Sequence, residues 1–240
     1  MRKTLLIAAV ALAASIISSE AQVYSQNIVG YINLTIPNAH FALLANQLDT
    51  GSNTLDNVFA SGPVSGQTYA NYWNGTSFQQ FEYYNAADSP DGNVGWYDYN
   101  TGAPCTNYLS PSQGVFVRNT SGSTMTITTV GTVKTGTNFV TIANGLHIYS
   151  VPVPLAGQSL DSLGFPGNSG NDYYLKWTGT NYYQLIYYSA ADSPDGNVGW
   201  YDYNTSVYES TNSAVWPNAG DSFFIRHNAL STVWTNVFNP

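Results

Sequence analysis

Charged side chains are scarce in this sequence: Asp, Glu, Lys and Arg make up 8 % of its 240 residues, where about 25 % is usual. Basic residues are the rarest, with six Lys and Arg against fourteen Asp and Glu. Because neutralisation of phosphates by Lys and Arg dominates affinity for nucleic acids, this deficit excludes a nucleic-acid-binding function. It disfavours anionic membrane surfaces for the same reason.

Reactive side chains are equally few. Cys105 is the single cysteine, so no intramolecular disulfide can form. The three histidines, His40, His147 and His227, have no spacing to Cys or to one another that would build a zinc site. Nucleophile-elbow, phosphate-loop and dinucleotide-binding motifs are absent. We therefore predict that the protein is not an enzyme and that its histidines are structural.

The first residues predict export. Arg2 and Lys3 precede an apolar run over residues 5–17, and Ser19 and Ala21 are small residues at the positions that a signal peptidase reads. Cleavage after Ala21 removes two of the six basic residues and one of the fourteen acidic ones, which leaves a net charge of −9. No later segment approaches the ~20 apolar residues of a membrane-spanning helix. We expect the mature chain to be secreted, extracellular or periplasmic, without a membrane span.

A sixteen-residue block, AADSPDGNVGWYDYNT, occurs twice without a difference, at residues 86–101 and 190–205. An offset of 104 aligns residues 69–101 with 173–205 without a gap. The match extends upstream, where we align His40 with His147, and downstream, where Arg118 meets Arg226. This self-similarity predicts two homologous modules, at residues 22–133 and 134–240, after a signal peptide at residues 1–21.

The local pattern indicates β structure. Ile32, Leu34 and Ile36 alternate with polar residues, which is the period of a strand. Residues 73–76 read as a hairpin turn because Asn-Gly tolerates a positive φ, and only residues 54–59 and 159–163 could form a helical turn. Seven or so short strands per module predict an all-β protein, built as two tandem β-sandwiches or small barrels.

Several of these segments resemble a known family. The signal peptide, VGYINLTIP, LLANQL with TLDNVF, the W-N-G-T hairpin and PSQGVFVRN together resemble uncharacterised secreted proteins of verrucomicrobial bacteria, in which an "IANPL … PGxGFFV" module is typically present twice. The glycine turn of the second module is longer here, at residues 220–222. The resemblance implies export and duplication, and implies no activity or catalytic residues.

Three interpretations compete for the repeated block. In the first it is a rigid surface turn, because Ser-Pro-Asp-Gly is a type I turn signal, with Trp96 and Trp200 as core anchors.

In the second interpretation the block is a Ca²⁺ site, since Asp and Asn offer the oxygen ligands that this cation prefers. The spacing departs from the EF-hand pattern at Pro90. The candidate ligands are Asp88, Asp91, Asn93 and Asp98 in the first copy and Asp192, Asp195, Asn197 and Asp202 in the second.

In the third interpretation the block binds sugars, because flat aromatic faces can pack on pyranose rings while Asp and Asn bond hydroxyls. The candidate residues are Trp96, Tyr97 and Tyr99 in the first copy and Trp200, Tyr201 and Tyr203 in the second.

For the function, we predict a non-catalytic structural or adhesive protein of the cell surface. Residues 23–30 look like an extra strand that could pair with a sheet edge of a neighbouring copy, which would give self-assembly. The alternative is a carbohydrate-binding protein whose partner is a surface polysaccharide. A more remote alternative is a secreted glycan hydrolase that uses Asp88 and Asp91 as its carboxylate pair.

Overall fold

The structure, a computed structural model, describes residues 28–239. The predicted signal peptide (residues 1–21) and most of the predicted extra strand (residues 23–30) lie outside this range. Nearly all of the regular structure is β, in antiparallel sheets, which confirms the predicted all-β class.

Fourteen strands fall within residues 28–239, seven in each half of the chain. Those of the first half are β1 (Val29–Ile36), β2 (Phe41–Asn46), β3 (Thr68–Trp73), β4 (Phe78–Tyr84), β5 (Gly95–Asp98), β6 (Gln113–Asn119) and β7 (Met125–Thr132). Those of the second half are β8 (Gly136–Ile142), β9 (Gly145–Tyr149), β10 (Asp172–Trp177), β11 (Tyr182–Tyr188), β12 (Gly199–Asp202), β13 (Phe223–His227) and β14 (Thr232–Phe238).

Helical structure is limited to single turns. Helix α1 (Leu55–Val58) forms where residues 54–59 predict it. Residues 159–163 form a turn instead, in which the Ser159 hydroxyl accepts a hydrogen bond from the N–H of Ser162 at 3.1 Å; such local bonds compete with helix formation. A 3₁₀ turn at Ser213–Val215 was not predicted. No helix within residues 28–239 is long and apolar enough to cross a membrane.

The two halves pair their strands in the same order. Each builds a five-stranded antiparallel sheet, β5-β4-β3-β6-β2 in the first half and β12-β11-β10-β13-β9 in the second. Each also has a two-stranded ribbon, β1-β7 and β8-β14. The strand order is thus consistent with the predicted duplication, although common ancestry stays a prediction.

The register corrects one part of the sequence alignment. Phe41 pairs with Arg118, and Leu146 pairs with Arg226. Because the two arginines occupy equivalent places beside Tyr69 and Tyr173, Phe41 corresponds to Leu146. His40 therefore corresponds to Gly145, and the predicted equivalence of His40 and His147 is wrong by two residues.

The five-stranded sheets join into one sheet of ten strands. The N–H of Ser150, after β9, donates to the carbonyl oxygen of Ser112, before β6, at 2.7 Å. In the opposite sense, the N–H of Ala45 in β2 donates to the carbonyl oxygen of Gly220, before β13, at 2.8 Å. The halves are therefore linked through backbone hydrogen bonds as well as by the connection from β7 to β8.

The main core lies between this sheet and the ribbons. Ribbon residues such as Ile36, Ile127 and Trp234 are fully buried in one continuous apolar cluster with the inward side chains of the sheet, among them Val117 and Ile225. Alternate residues of β1 are exposed and buried, as its period-two pattern predicts. The sheets are open, which fits a β-sandwich rather than a closed barrel.

Candidate functional site

In each repeated block a tyrosine hydroxyl is hydrogen-bonded to the turn that precedes it in the chain. The Tyr97 hydroxyl donates to Oδ1 of Asp91 at 2.5 Å and lies 2.9 Å from the carbonyl oxygen of Asn93. This hydrogen bond is the main cause that lowers the pKa of the Asp91 carboxyl below its usual range. Tyr201, Asp195 and Asn197 repeat these contacts in the second block.

The other carboxylates of the blocks also accept hydrogen bonds from the chain itself. Asp98 Oδ1 accepts from the backbone N–H of Thr101 at 2.9 Å, and its Oδ2 accepts from Nε2 of Gln79 at 2.8 Å. Asp202 repeats the first contact with Thr205 at 2.7 Å. Asp88 and Asp192 accept from the hydroxyls of Ser65 and Ser169, at 2.7 and 2.5 Å.

These contacts bear on the calcium interpretation. Within residues 28–239, no group of three or more acidic, histidine or cysteine side chains comes together in a way that could hold a metal ion. Asp91, Asp98, Asp195 and Asp202 instead accept hydrogen bonds from the backbone two or three residues further on, and Asp88 and Asp192 accept from distant serine hydroxyls. The calcium hypothesis, which also includes Asn93 and Asn197, stays a prediction.

The block tryptophans are core residues, as the turn interpretation predicts. Trp96 and Trp200 are 1 % and 0 % exposed. Backbone N–H of Trp96 donates to Asp56 Oδ1 at 2.8 Å. That of Trp200 donates to Oγ of Ser210 at 2.8 Å, and Ser210 donates in turn to Asp161. Burial raises the pKa of the carboxyl groups of Asp56 and Asp161.

Burial restricts the sugar-binding interpretation of the blocks. Tyr97 and Tyr201, like the two tryptophans, are at most 2 % exposed and so have no ring face for a ligand. Tyr99 and Tyr203 are about half exposed. They stand edge-on to Tyr69 and Tyr173, with ring centroids 6.0 and 5.9 Å apart. Of the six predicted aromatic residues, these two alone present a ring to solvent.

The ten-stranded sheet has an inner face, which packs on the main core, and an outer face, which is turned away from it. Further aromatic rings lie on the outer face. Where the two halves meet, this face carries a second apolar cluster, here called the junction cluster. Its buried members are Leu43, Phe116, Ile148 and Phe224, with Trp73, Leu146, Leu175 and Trp177 packed against them.

Two tryptophans from equivalent hairpins hold the halves together across the junction cluster. The indole N–H of Trp73 donates to the carbonyl oxygen of Leu146 in the second half at 2.6 Å. The indole N–H of Trp177 donates to the carbonyl oxygen of Phe41 in the first half at 3.0 Å. The two acceptors are equivalent positions, so each half contacts the other in the same way.

Both hairpins form, but their connections are residues 74–77 and 178–181 rather than the predicted turn at 73–76, because Trp73 pairs with Phe78 and Trp177 with Tyr182. Gly75 and Gly179 have φ values of 98° and 97°, which only glycine adopts readily. In the first hairpin the Asn74 carboxamide oxygen accepts from the N–H groups of Thr76 and Ser77 at 3.0 and 2.9 Å. In the second hairpin the hydroxyl of Thr178 donates to the carbonyl oxygen of Asn181 at 2.9 Å. Trp73 and Trp177 are the last strand residues before these connections.

A cleft of about 310 Å³, here called the junction cleft, opens beside the Trp177 contact. Both halves contribute to it, and Phe78 and Tyr182 at its rim are 47 % and 43 % exposed. Phe116 packs edge-on against Trp177 with ring centroids 5.5 Å apart. The lining residues are Phe41, Asn71, Phe78, Phe116, Trp177 and Tyr182.

One polar group in this aromatic wall has no partner. The carboxamide nitrogen of Asn71 is buried and has no hydrogen-bond acceptor among the described residues. Leaving a buried donor unpaired costs about 1–3 kcal/mol, so such a group needs an explanation. Because Asn71 lines the cleft, a ligand in the cleft could supply the missing acceptor.

The histidines lie elsewhere. Nδ1 of His40 is 2.8 Å from the carbonyl oxygen of Asn38, and Nε2 of His147 is 3.0 Å from that of Asn144. The buried His227 contacts Asp172, with 2.7 Å between Nδ1 and Oδ1. Desolvation raises the pKa of the Asp172 carboxyl. None of the three lines the junction cleft.

The cleft was not predicted from the sequence, because the strongest signal there is the identical block, which does not line the cleft. The hairpin tryptophans were noted only as a turn signal, although a tryptophan at the same place in both halves could have pointed to a shared contact. Nothing in the sequence pattern singles out Asn71 or Phe41.

Comparison with known proteins adds no relatives: no protein family, curated protein or solved structure matches the chain.

Proposed function

We propose that this chain is a non-catalytic, exported adhesive protein that holds a neutral polysaccharide in the junction cleft. The observation that carries the proposal is a cleft walled by aromatic rings that also contains the unpaired amide of Asn71. Aromatic walls with a few placed polar groups are typical of small-molecule sites. The C–H face of a sugar ring can pack on such rings while its hydroxyls accept from the amide.

The charges of the chain favour a neutral ligand. Among residues 28–239, no Asp, Glu, Lys, Arg or His lines the junction cleft, and the sequence carries an excess of eight negative charges. Net negative charge repels acidic polysaccharides in the bulk solution.

Affinity electrophoresis of the exported chain, in gels containing neutral plant and algal polysaccharides, tests the proposal. We expect retardation by at least one neutral glucan, xylan or mannan. Retardation should change little between 50 and 500 mM NaCl, because no charge pairs contribute. Retardation by acidic polysaccharides alone, or by none of the panel, would contradict the proposal.

Matched variants locate the site. Phe78→Ala and Tyr182→Ala remove rings at the rim of the cleft and should abolish retardation without unfolding the protein. Tyr31→Ala is the control, because Tyr31 is 65 % exposed on the ribbon strand β1, outside the cleft. Equal effects of all three substitutions would place binding elsewhere.

A further inference from the structure

A second cavity adjoins the junction cleft and shares two of its walls. It measures about 330 Å³, and Phe41 and Trp177 line both spaces. We call it the polar cavity, because six of its twelve lining residues are polar. Its polar lining residues are Thr35, His40, Lys176, Thr178, Asp221 and Ser222.

The boundary between the two spaces is fixed. The indole N–H of Trp177 donates to the carbonyl oxygen of Phe41 at 3.0 Å, so these two residues form a bar at which the spaces meet. A ligand that packs on the rings of the junction cleft therefore reaches the polar cavity by passing this bar.

The polar cavity holds donors and acceptors that the chain leaves unused. An ammonium group has three N–H donors. Two from Lys176 go to the carbonyl oxygens of Ala214 and Trp216, at 3.2 and 2.9 Å. The third has no acceptor among the described residues. Burial lowers the pKa of this ammonium, and the nearby Asp221 opposes that effect.

Asp221 and His40 supply the complementary groups. Oδ2 of Asp221 accepts from the backbone and side-chain nitrogens of Asn218, at 3.0 and 3.2 Å. Its Oδ1 has no donor among the described residues. Nδ1 of His40 contacts the carbonyl oxygen of Asn38, whereas its Nε2 has no hydrogen-bond partner among residues 28–239.

This mixture selects a class of ligand. A carboxylate or phosphate in the polar cavity would face Asp221, and a cation would face Lys176. A hydroxyl group both donates and accepts, so vicinal hydroxyls can satisfy the lysine and the carboxylate together. We infer that the ligand is a neutral oligosaccharide, with one sugar packed in the junction cleft and the next one hydrogen-bonded in the polar cavity. This inference rests on the proposed function.

The test is a chain-length series, measured by calorimetry on the full exported chain. The probes are glucose, β-1,4-linked and β-1,3-linked glucose oligosaccharides, and xylo-oligosaccharides, each from one to six units. We expect the affinity to rise at least tenfold between one unit and two or three units, and to level off within the series.

Variants separate the two subsites. Asp221→Asn keeps the shape of the side chain but weakens its acceptor, and His40→Ala removes an exposed ring. Each should lower the affinity for oligosaccharides three- to tenfold and leave that for the single sugar unchanged. Tyr182→Ala should lower the affinity at every length. Thermal unfolding of each variant shows whether it is folded. If Asp221→Asn does not fold, the affinities of His40→Ala test the polar cavity as a subsite.

The outcomes distinguish the inference from the function on which it rests. Binding that does not depend on chain length, or that both polar-cavity variants leave intact, overturns the inference and keeps the proposed function. Absence of binding to every probe and every polysaccharide overturns both.

Discussion

The two halves of this protein share a strand order and an identical sixteen-residue block, yet they differ at the surface where they meet. Each sends a tryptophan to the other, and the acceptors, Phe41 and Leu146, are equivalent. The junction cleft lies beside the contact between Trp177 and Phe41, and Asn71 lines it. In the second half the place of Asn71 is taken by Leu175, which packs into the junction cluster. Equivalent positions of the two halves thus carry an amide at 71 and an apolar side chain at 175, which makes the junction asymmetric.

The halves also differ in how they bury the same tryptophan. Trp200 lies among four rings, with centroid distances of 5.4 to 6.4 Å. Trp96 has one such neighbour, Tyr83, at 5.5 Å. An identical block therefore sits in two different cores, and the difference between those cores can be measured.

The largest effect that we expect comes from removing these tryptophans. Trp96→Ala and Trp200→Ala should each lower the free energy of unfolding by about 3–5 kcal/mol. The loss should be greater for Trp200, since each aromatic pair adds about 0.5–1.5 kcal/mol. Denaturation in guanidinium chloride measures both variants; an equal or greater loss at Trp96 would remove this distinction between the halves.

Exchanging the side chains that distinguish the cleft should have the next largest effect. Asn71→Leu copies the second half and removes the unpaired donor, so it should raise the free energy of unfolding by about 1–2 kcal/mol while weakening polysaccharide retardation. The reciprocal Leu175→Asn should lower the free energy of unfolding by about 1–2 kcal/mol, because apolar contact in the junction cluster is lost. Urea denaturation with affinity electrophoresis measures both. A less stable Asn71→Leu variant would show that the amide is paired.

Two groups of carboxyls with opposite pKa shifts should give the free energy of unfolding a maximum in acid, near the unfolded pKa of about 3.8. Burial raises the pKa of Asp56, Asp161 and Asp172. Their contribution is complete below the unfolded pKa near 3.8 and is lost as the pH rises through their folded values. Hydrogen bonds from Tyr97 and Tyr201 lower the pKa of Asp91 and Asp195. Their contribution is complete above 3.8 and is lost as the pH falls through their folded values.

We therefore expect the free energy of unfolding to rise as the pH falls through the raised folded pKa values of these carboxyls towards 3.8, and to fall again below 3.8. Denaturation series at several pH values test the optimum. Tyr97→Phe and Tyr201→Phe remove the hydroxyl donors and should reduce the loss on the acid side. Stability that falls steadily from pH 7 downwards would contradict the assignment of the raised carboxyls.

The smallest effect should be that of calcium. Because the carboxylates of both blocks already accept hydrogen bonds from the chain, we expect millimolar Ca²⁺ to move the unfolding midpoint by less than about 1 °C relative to EDTA. A site filled to ~100 times its dissociation constant would add ~2.7 kcal/mol and move it by several degrees. Such a shift, lost on Asp91→Ala and Asp195→Ala, would establish the calcium sites and make the blocks functional.

Prediction from sequence succeeded where the signal is local. Period-two alternation located strand β1, and the glycine of the W-N-G-T hairpin marked the connection between β3 and β4. The register of β9 was predicted wrongly because it is decided by pairing with β13. The sequence alignment matched His40 with His147, two histidines in similar apolar surroundings, and the observed pairing does not support that match. Trp96 and Trp200 were candidate sugar-binding residues, yet both are buried. The sequence does not separate these two possibilities, because an aromatic residue on a strand fits a core as well as a surface.

The sequence by itself determined the class of the protein: its scarce charge, its alternating apolar residues and its turn signals are local properties that permit an all-β chain of two similar halves. Only the tertiary structure decided where a ligand could bind. The walls of the junction cleft come from β2, β3, β4, β6, β10 and β11, which are far apart along the chain. Their meeting depends on how the two sheets join, a long-range arrangement that no short stretch of sequence encodes.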